Sequence, residues 1–179
     1  MIRPIKRHLR RFLRREDGQI AVEFVLGVPL LFTLFMTSVD LGLHGMNRMW
    51  LERGVDMTVR MVRLNTGANY THDDLKDMIC DYSGDLADCQ QTLRLEMKTI
   101  DPRSFTGFSE FADCVDVSQP VTPLREFVHG GSHQLMLMRA CDGYKPAFPT
   151  AGFGGAMEKD GSGRLQITAQ TVFVQEPGA

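Results

Sequence analysis

The sequence predicts an α+β protein: a long amino-terminal helix crosses a membrane and runs on outside it into a small domain with an antiparallel sheet of at least three strands. Three observations predict this. Residues 20–39 form an apolar run whose single charge is Glu23. A helical period continues from Val39 to Leu64, and three strand-length segments follow in the second half of the chain.

The apolar run comes first. A bilayer core of about 30 Å needs roughly 20 helical residues, so Ile20–Val39 is long enough to cross. Seven basic and two acidic residues precede it, giving +5 over residues 1–18, while the remaining thirteen basic and twenty acidic residues give −7. Basic flanks stay on the cytoplasmic side, so residues 40–179 are expected outside. An ordinary secretory signal has a shorter apolar core and a small-residue cleavage site after it. Thr37-Ser38-Val39-Asp40 is a poor substitute for such a site. Pro29 lies inside the run, where its missing N–H predicts a kink or local unwinding.

Beyond the membrane, Val39, Leu43, Met46, Trp50, Gly54, Met57, Met61 and Leu64 step by three and four, one stripe down a helix. The stripe reads as contact with the protein's own domain over Met46–Leu64, with packing on neighbouring subunits as the alternative. Arg48–Glu52 and Asp56–Arg60 can pair at four-residue spacing. Gly67 supplies a left-handed stop after Asn65-Thr66.

The remainder reads as one domain. Thr71 caps a helix with acidic residues in its first turn and an end near Tyr82-Ser83-Gly84. Thr92–Thr99 alternates apolar and charged residues, a half-buried strand. Gln134–Cys141 is apolar on both parities and suits a central strand. Arg164–Val174 alternates again and closes the sheet. The Gly-rich stretch 152–163 lies between the last two strands, and Gly152-Phe153-Gly154-Gly155 within it reads as a flexible connection. The expected divisions are a basic cytoplasmic leader at 1–18, a transmembrane helix at 19–39, its exterior continuation at 40–66, and the α+β domain at 67–179.

Cys80, Cys89, Cys114 and Cys141 all fall on the exterior side, where an oxidising compartment turns thiols into structural disulfides. Of three possible pairings, Cys80–Cys89 with Cys114–Cys141 is favoured. No Cys-x-x-Cys spacing or paired histidine points to a metal, and His44, His72, His129 and His133 are scattered. The acidic run Asp73, Asp74, Asp77, Asp81, Asp85 and Asp88 lacks calcium-loop spacing and reads as a solvated face. Gly152-Phe153-Gly154-Gly155 lacks the ending of a phosphate loop. No group of residues can be given a catalytic role, and no cofactor is expected. The leader Arg3–Arg15 is placed to meet anionic lipid headgroups rather than nucleic acid.

One carboxylate stands out. An acidic residue inside a membrane-length helix is costly and usually functional. Arg14-Arg15-Glu16-Asp17-Gly18 followed by Gln19-Ile20-Ala21-Val22-Glu23-Phe24 fits a leader cut after Gly18, leaving the Gln19 amine one turn from Glu23. Two unit charges about 4 Å apart attract by roughly 4 kcal/mol at an intermediate dielectric. The simpler reading is a glutamate snorkelling to the headgroups.

Gly18, Ala21-Val22-Glu23-Phe24 and Val28-Pro29-Leu30-Leu31 resemble the amino-terminal signature of the TadE/TadF-like pseudopilins of tight-adherence (Tad) pilus machines. The closing Ile167–Val174 strand and Gln175-Glu176-Pro177 are similar to that family's ending. Gln19-Ile20 stands where small residues are common in the family. The resemblance implies a pilin-like fold and a minor pseudopilin of the inner membrane, its amino terminus cytoplasmic and its domain periplasmic. It implies cleavage by a prepilin peptidase between Gly18 and Gln19, and assembly or recognition roles for Glu23, Phe24 and Pro29. The partners it implies are other pseudopilins, the short major pilin and the inner-membrane assembly platform. An unprocessed single-pass anchor carrying a periplasmic binding module is the alternative.

Overall fold

The computed structural model describes residues 19–65, 67–104, 106–120, 123 and 126–177. The expected leader 1–18, with Gly18 of the processing site, lies outside them, as do the side chain of Gln19 and Thr66. Helix α1 runs unbroken from Gln19 to Leu64, 46 residues, or roughly 70 Å. It is the one helix among the described residues long and apolar enough to cross a membrane, and none of its most apolar 18-residue window is buried by the rest of the chain. The helix stays continuous through Pro29. The unwinding expected there does not occur, as other transmembrane helices also tolerate proline.

Helix α2 spans His72–Ser83 and opens with a complete capping box. Asp74 N donates to Thr71 Oγ1 at 3.2 Å, and Thr71 N donates back to Asp74 Oδ2 at 2.8 Å. Two orphan amides of the first turn are satisfied in this way. The short helix α3, Cys89–Thr92, leads into strand β1, Arg94–Ile100. Strands β2, Leu135–Tyr144, and β3, Leu165–Val174, complete an antiparallel sheet in the order β1-β2-β3. Register pairs Met97 with Met138 and Met136 with Phe173. The strand expected to be central, buried at nearly every position, is central.

Both long helices pack on one face of this sheet. Leu51, Val55, Val59 and Val62 of α1 meet Leu75 and Ile79 of α2, Leu95 and Met97 of β1, Met138 of β2, and Ile167 and Phe173 of β3. Each fully buried aliphatic side chain contributes about 1.5–3 kcal/mol. At Gly54 the helices come so close that a Cβ would stand 2.6 Å from Ile79 O.

Two expectations are corrected here. The face of α1 that meets the domain is Leu51, Val55, Thr58, Val59 and Val62, not the stripe through Met46 and Leu64. At 100° per residue, the two faces lie roughly a third of a turn apart. Gly54 and the half-buried Trp50 sit at the border. Met46, Met57, Met61 and Leu64 remain 38–62% exposed. On the polar side Arg48 pairs with Glu52 at 2.8 Å, whereas Asp56–Arg60 is not among the ion pairs of the described residues.

The second correction concerns β1. Its charged side is buried along with its apolar side, because segment 106–120 covers the far face of the sheet. Arg139 Nη2 pairs with Glu96 Oε2 at 2.5 Å and Arg94 with Asp113 at 2.8 Å, all four side chains at most 6% exposed. Arg139 also donates to the carbonyls of Ser109 and Phe111, and its guanidinium lies 4.6 Å from the Phe108 ring. Cys114–Cys141 pins the segment to β2, and Cys80–Cys89 ties α2 to α3. The far layer is therefore ionic and cross-linked where the near layer is apolar.

Candidate functional site

The signature segment sits on the solvent-facing surface of α1. Ala21 through Leu26 are exposed, Phe24 at 67%, and Pro29 is exposed as well. Glu23 lies one turn along from Gln19 on this surface. Each of these side chains thus faces whatever surrounds the helix rather than the protein's own domain.

A second site lies where the apolar run ends. Asp40 is the first charged residue after Glu23, and it is 1% exposed. Its Oδ1 accepts hydrogen bonds from the amides of Ala147 at 3.0 Å and Phe148 at 3.3 Å; Oδ2 accepts from Gly154 N at 3.1 Å. A buried charge is tolerable only when paired or richly hydrogen-bonded. Three amides from one loop supply that role, so the carboxylate fastens segment 146–156 to the helix.

The loop's sequence explains how it gets so close. Gly152 has φ +56°, and a Cβ there would stand 2.7 Å from Thr37 Oγ1. A Cβ on Gly154 would stand 2.8 Å from Asp40 Oδ2 and 2.7 Å from Phe148 O. The Gly-rich stretch is thus no flexible connection. Gly152–Ala156 forms a helical turn, α4, packed on α1. Its glycines are required by close approach, not by mobility.

One turn further along α1, His44 Nδ1 and Tyr144 Oη share a hydrogen bond of 2.9 Å, and the His44 ring meets Phe153 edge-on at 5.5 Å. Burial, and secondarily the Asp40 charge, push the Tyr144 hydroxyl up to about 12. It remains a donor at any ordinary pH. Next along β2, Asp142 is buried and accepts from Thr92 Oγ1 at 2.5 Å. Burial raises its carboxyl above the usual range, against the opposing pull of that bond.

The other residues singled out from the sequence stay dispersed. His72 Nε2 accepts from Leu95 N, and His129 donates to the Tyr70 carbonyl, so both serve the scaffold. A cleft of about 570 Å³ between α2 and segment 113–120 is lined by His72, Lys76, Arg94 and Asp113, the last two already joined to each other. Among the described residues no cluster of three or more His, Cys, Asp or Glu side chains is arranged to hold a metal.

Sequence reasoning missed Asp40, Thr37, His44 and Tyr144. A signal was present in the lone aspartate at the end of the apolar run and in the Gly-x-Gly-Gly spacing. Neither reveals that one seats against the other.

Fold and site together define a single-helix membrane-anchor class of protein, with a compact disulfide-bonded α+β module fastened to its helix. A family model described as TadE-like protein matches residues 18–60. Over that segment the chain is similar to TadE-like proteins. No curated protein and no solved structure matches the chain.

Proposed function

We propose that this chain is a minor pseudopilin of a Tad pilus machine, cut by a prepilin peptidase between Gly18 and Gln19 and helping to initiate or assemble the fibre. It acts without catalysing a reaction. The observation that carries the reading is the TadE-like match at residues 18–60, which begins at the proposed cleavage glycine and includes Glu23. The exposed signature segment supports it, since a docking carboxylate must be accessible. The stripe of Met46, Met57, Met61 and Leu64, left bare by the protein's own domain, supports it further. It extends the apolar surface beyond the span and offers neighbouring pseudopilins and the short major pilin a helical face.

In this reading the helix crosses the inner membrane over residues 19–39. The leader lies in the cytoplasm near anionic headgroups and the assembly platform, and residues 40–179 are periplasmic. Glu23 approaches the new Gln19 amine of its own or a neighbouring subunit. Phe24 and Pro29 shape the same face.

Mass measurement of the mature amino terminus tests this directly. A chain beginning at Gln19 is expected from a host with active prepilin peptidase, and one beginning at Met1 from a host lacking it. A Met1 terminus in both would leave only an unprocessed anchor with a periplasmic binding module. Glu23→Gln is expected to leave the fold intact while reducing pilus output and co-purification with partner pseudopilins. Unchanged output and recovery would refute the role of Glu23.

A further inference from the structure

We propose that segment 145–157 is a membrane foot: it rests in the interfacial layer of the outer leaflet and seats the domain directly on the bilayer. The proposal relies on residues 20–39 spanning the membrane. Given that span, the depth of the loop follows from contacts. Gly152 touches Thr37, and the amides of Ala147, Phe148 and Gly154 close on Asp40. Thr37 lies inside the apolar run, three residues before Asp40 and about 5 Å below it at 1.5 Å per residue. A segment touching the helix at that level cannot stand clear of the headgroups.

The loop's chemistry suits the depth. Apolar side chains such as Phe and Met sink shallowly into the headgroup–acyl boundary, while a lysine stem lies along apolar surface and keeps its ammonium in water. The segment supplies Phe153 half-buried against His44 of the helix, Phe148 half-buried, Met157 44% exposed, and Lys145 exposed.

Backbone accounting points the same way. Near hydrocarbon, each unpaired backbone group is costly. Here Ala151 N donates to Phe148 O, Gly155 N to Ala151 O and Met157 N to Phe153 O. Lys159 Nζ folds back onto the carbonyls of Gly154 and Met157. These bonds leave fewer of the segment's backbone groups to be desolvated at that depth.

The test uses the full chain in phosphatidylcholine nanodiscs. Phe148→Trp and Met157→Trp are each placed in a Trp50→Phe background, with Leu31→Trp and Val128→Trp as reference positions. Lipids brominated high on the acyl chain are expected to remove most of the fluorescence of at least one foot variant. Lipids brominated at the chain ends should quench Leu31→Trp most strongly, and neither lipid should quench Val128→Trp. Foot variants as bright as Val128→Trp, with Leu31→Trp quenched, would overturn the foot and leave the span standing. An unquenched Leu31→Trp would overturn the span and the foot with it. Nuclear Overhauser transfer from lipid-chain protons to the amides of 148–157, in the deuterated unsubstituted protein, reads the same contact without any substitution. Its absence, with transfer to residues 25–35 present, would overturn the foot as well.

Discussion

Replacing Asp40 with alanine removes the shared acceptor of three loop amides and leaves those amides facing a cavity. Hydrogen bonds to a charged group contribute about 1.5–3 kcal/mol each, and a buried donor left unsatisfied costs about 1–3 kcal/mol. Three bonds act on one side chain, while some water enters the space and the buried charge disappears. A net loss of roughly 3–5 kcal/mol is expected. It should appear first as local opening, because segment 146–156 joins the body through Asp40, Thr37 and the His44–Tyr144–Phe153 contact rather than through the sheet.

Amide hydrogen exchange on the full chain in detergent or nanodiscs reads this directly. At about 1.4 kcal/mol per tenfold, protection at Ala147, Phe148 and Gly154 should fall by roughly two to three and a half orders of magnitude. Protection at Met138 and Ala140 in β2 should change far less. Asp40→Asn separates charge from shape. Its oxygen can still accept from Ala147 and Phe148, but its amide group meets the Gly154 N–H donor to donor, so exchange at Gly154 should rise most. Should Asp40→Ala leave all three amides as protected as in the parent, the carboxylate is not what fastens the loop.

Gly154→Ala tests the close approach from the other side. Its Cβ would stand within 2.8 Å of Asp40 Oδ2, Phe148 O and Pro146 Cβ, and overpacking of this kind costs about 1–3 kcal/mol, to be read as a lower thermal midpoint and faster exchange across 146–156. Arg139→Met strands the buried Glu96 carboxylate and should cost about 3–5 kcal/mol in denaturant unfolding, with the pair Glu96→Leu plus Arg139→Met recovering most of it. Tyr144 supplies a pH prediction. Its folded pKa of about 12 lies above the ordinary value of 10.0, so the native state holds that proton more tightly. The contribution is fully present below pH ~10 and is lost as pH rises toward 12. Alkaline titration of unfolding should show this loss in the parent and not in Tyr144→Phe.

What was legible in the sequence had one-dimensional causes. Thr71 followed by acidic residues announces a capped helix start, and the helix begins there. The apolar run of β2 announces a strand with neighbours on both sides, and it lies between β1 and β3. The bare methionine stripe was visible as a stripe, but its partner was not. Valines at 55, 59 and 62 form a second apolar face a third of a turn away, and periodicity alone cannot say which face the domain takes. The domain chose the β-branched face, which packs tightly against the sheet, and left the flexible methionines outside. Arg94 and Glu96 read as the open side of a half-buried strand because only a distant segment, pinned by Cys114–Cys141, covers them. Asp40 and Gly154, 114 residues apart, likewise meet only in three dimensions.

These choices interlock. With Asp40 and Thr37 in contact with the loop and Leu51, Val55, Val59 and Val62 packed on the sheet, rotating or sliding α1 against its domain would break contacts at both ends. The domain's position therefore fixes which helical face looks outward. That face is the methionine stripe, whose long unbranched side chains adapt to partners of varied shape. In the proposed pilus role, a subunit must present the same face at the same height above the bilayer each time it enters an assembly. A helix free to turn would present a different one on each encounter, and each partner contact would then have to supply the ordering as well as the binding. Fastening the domain at the membrane end and along the helix settles the orientation before any partner arrives.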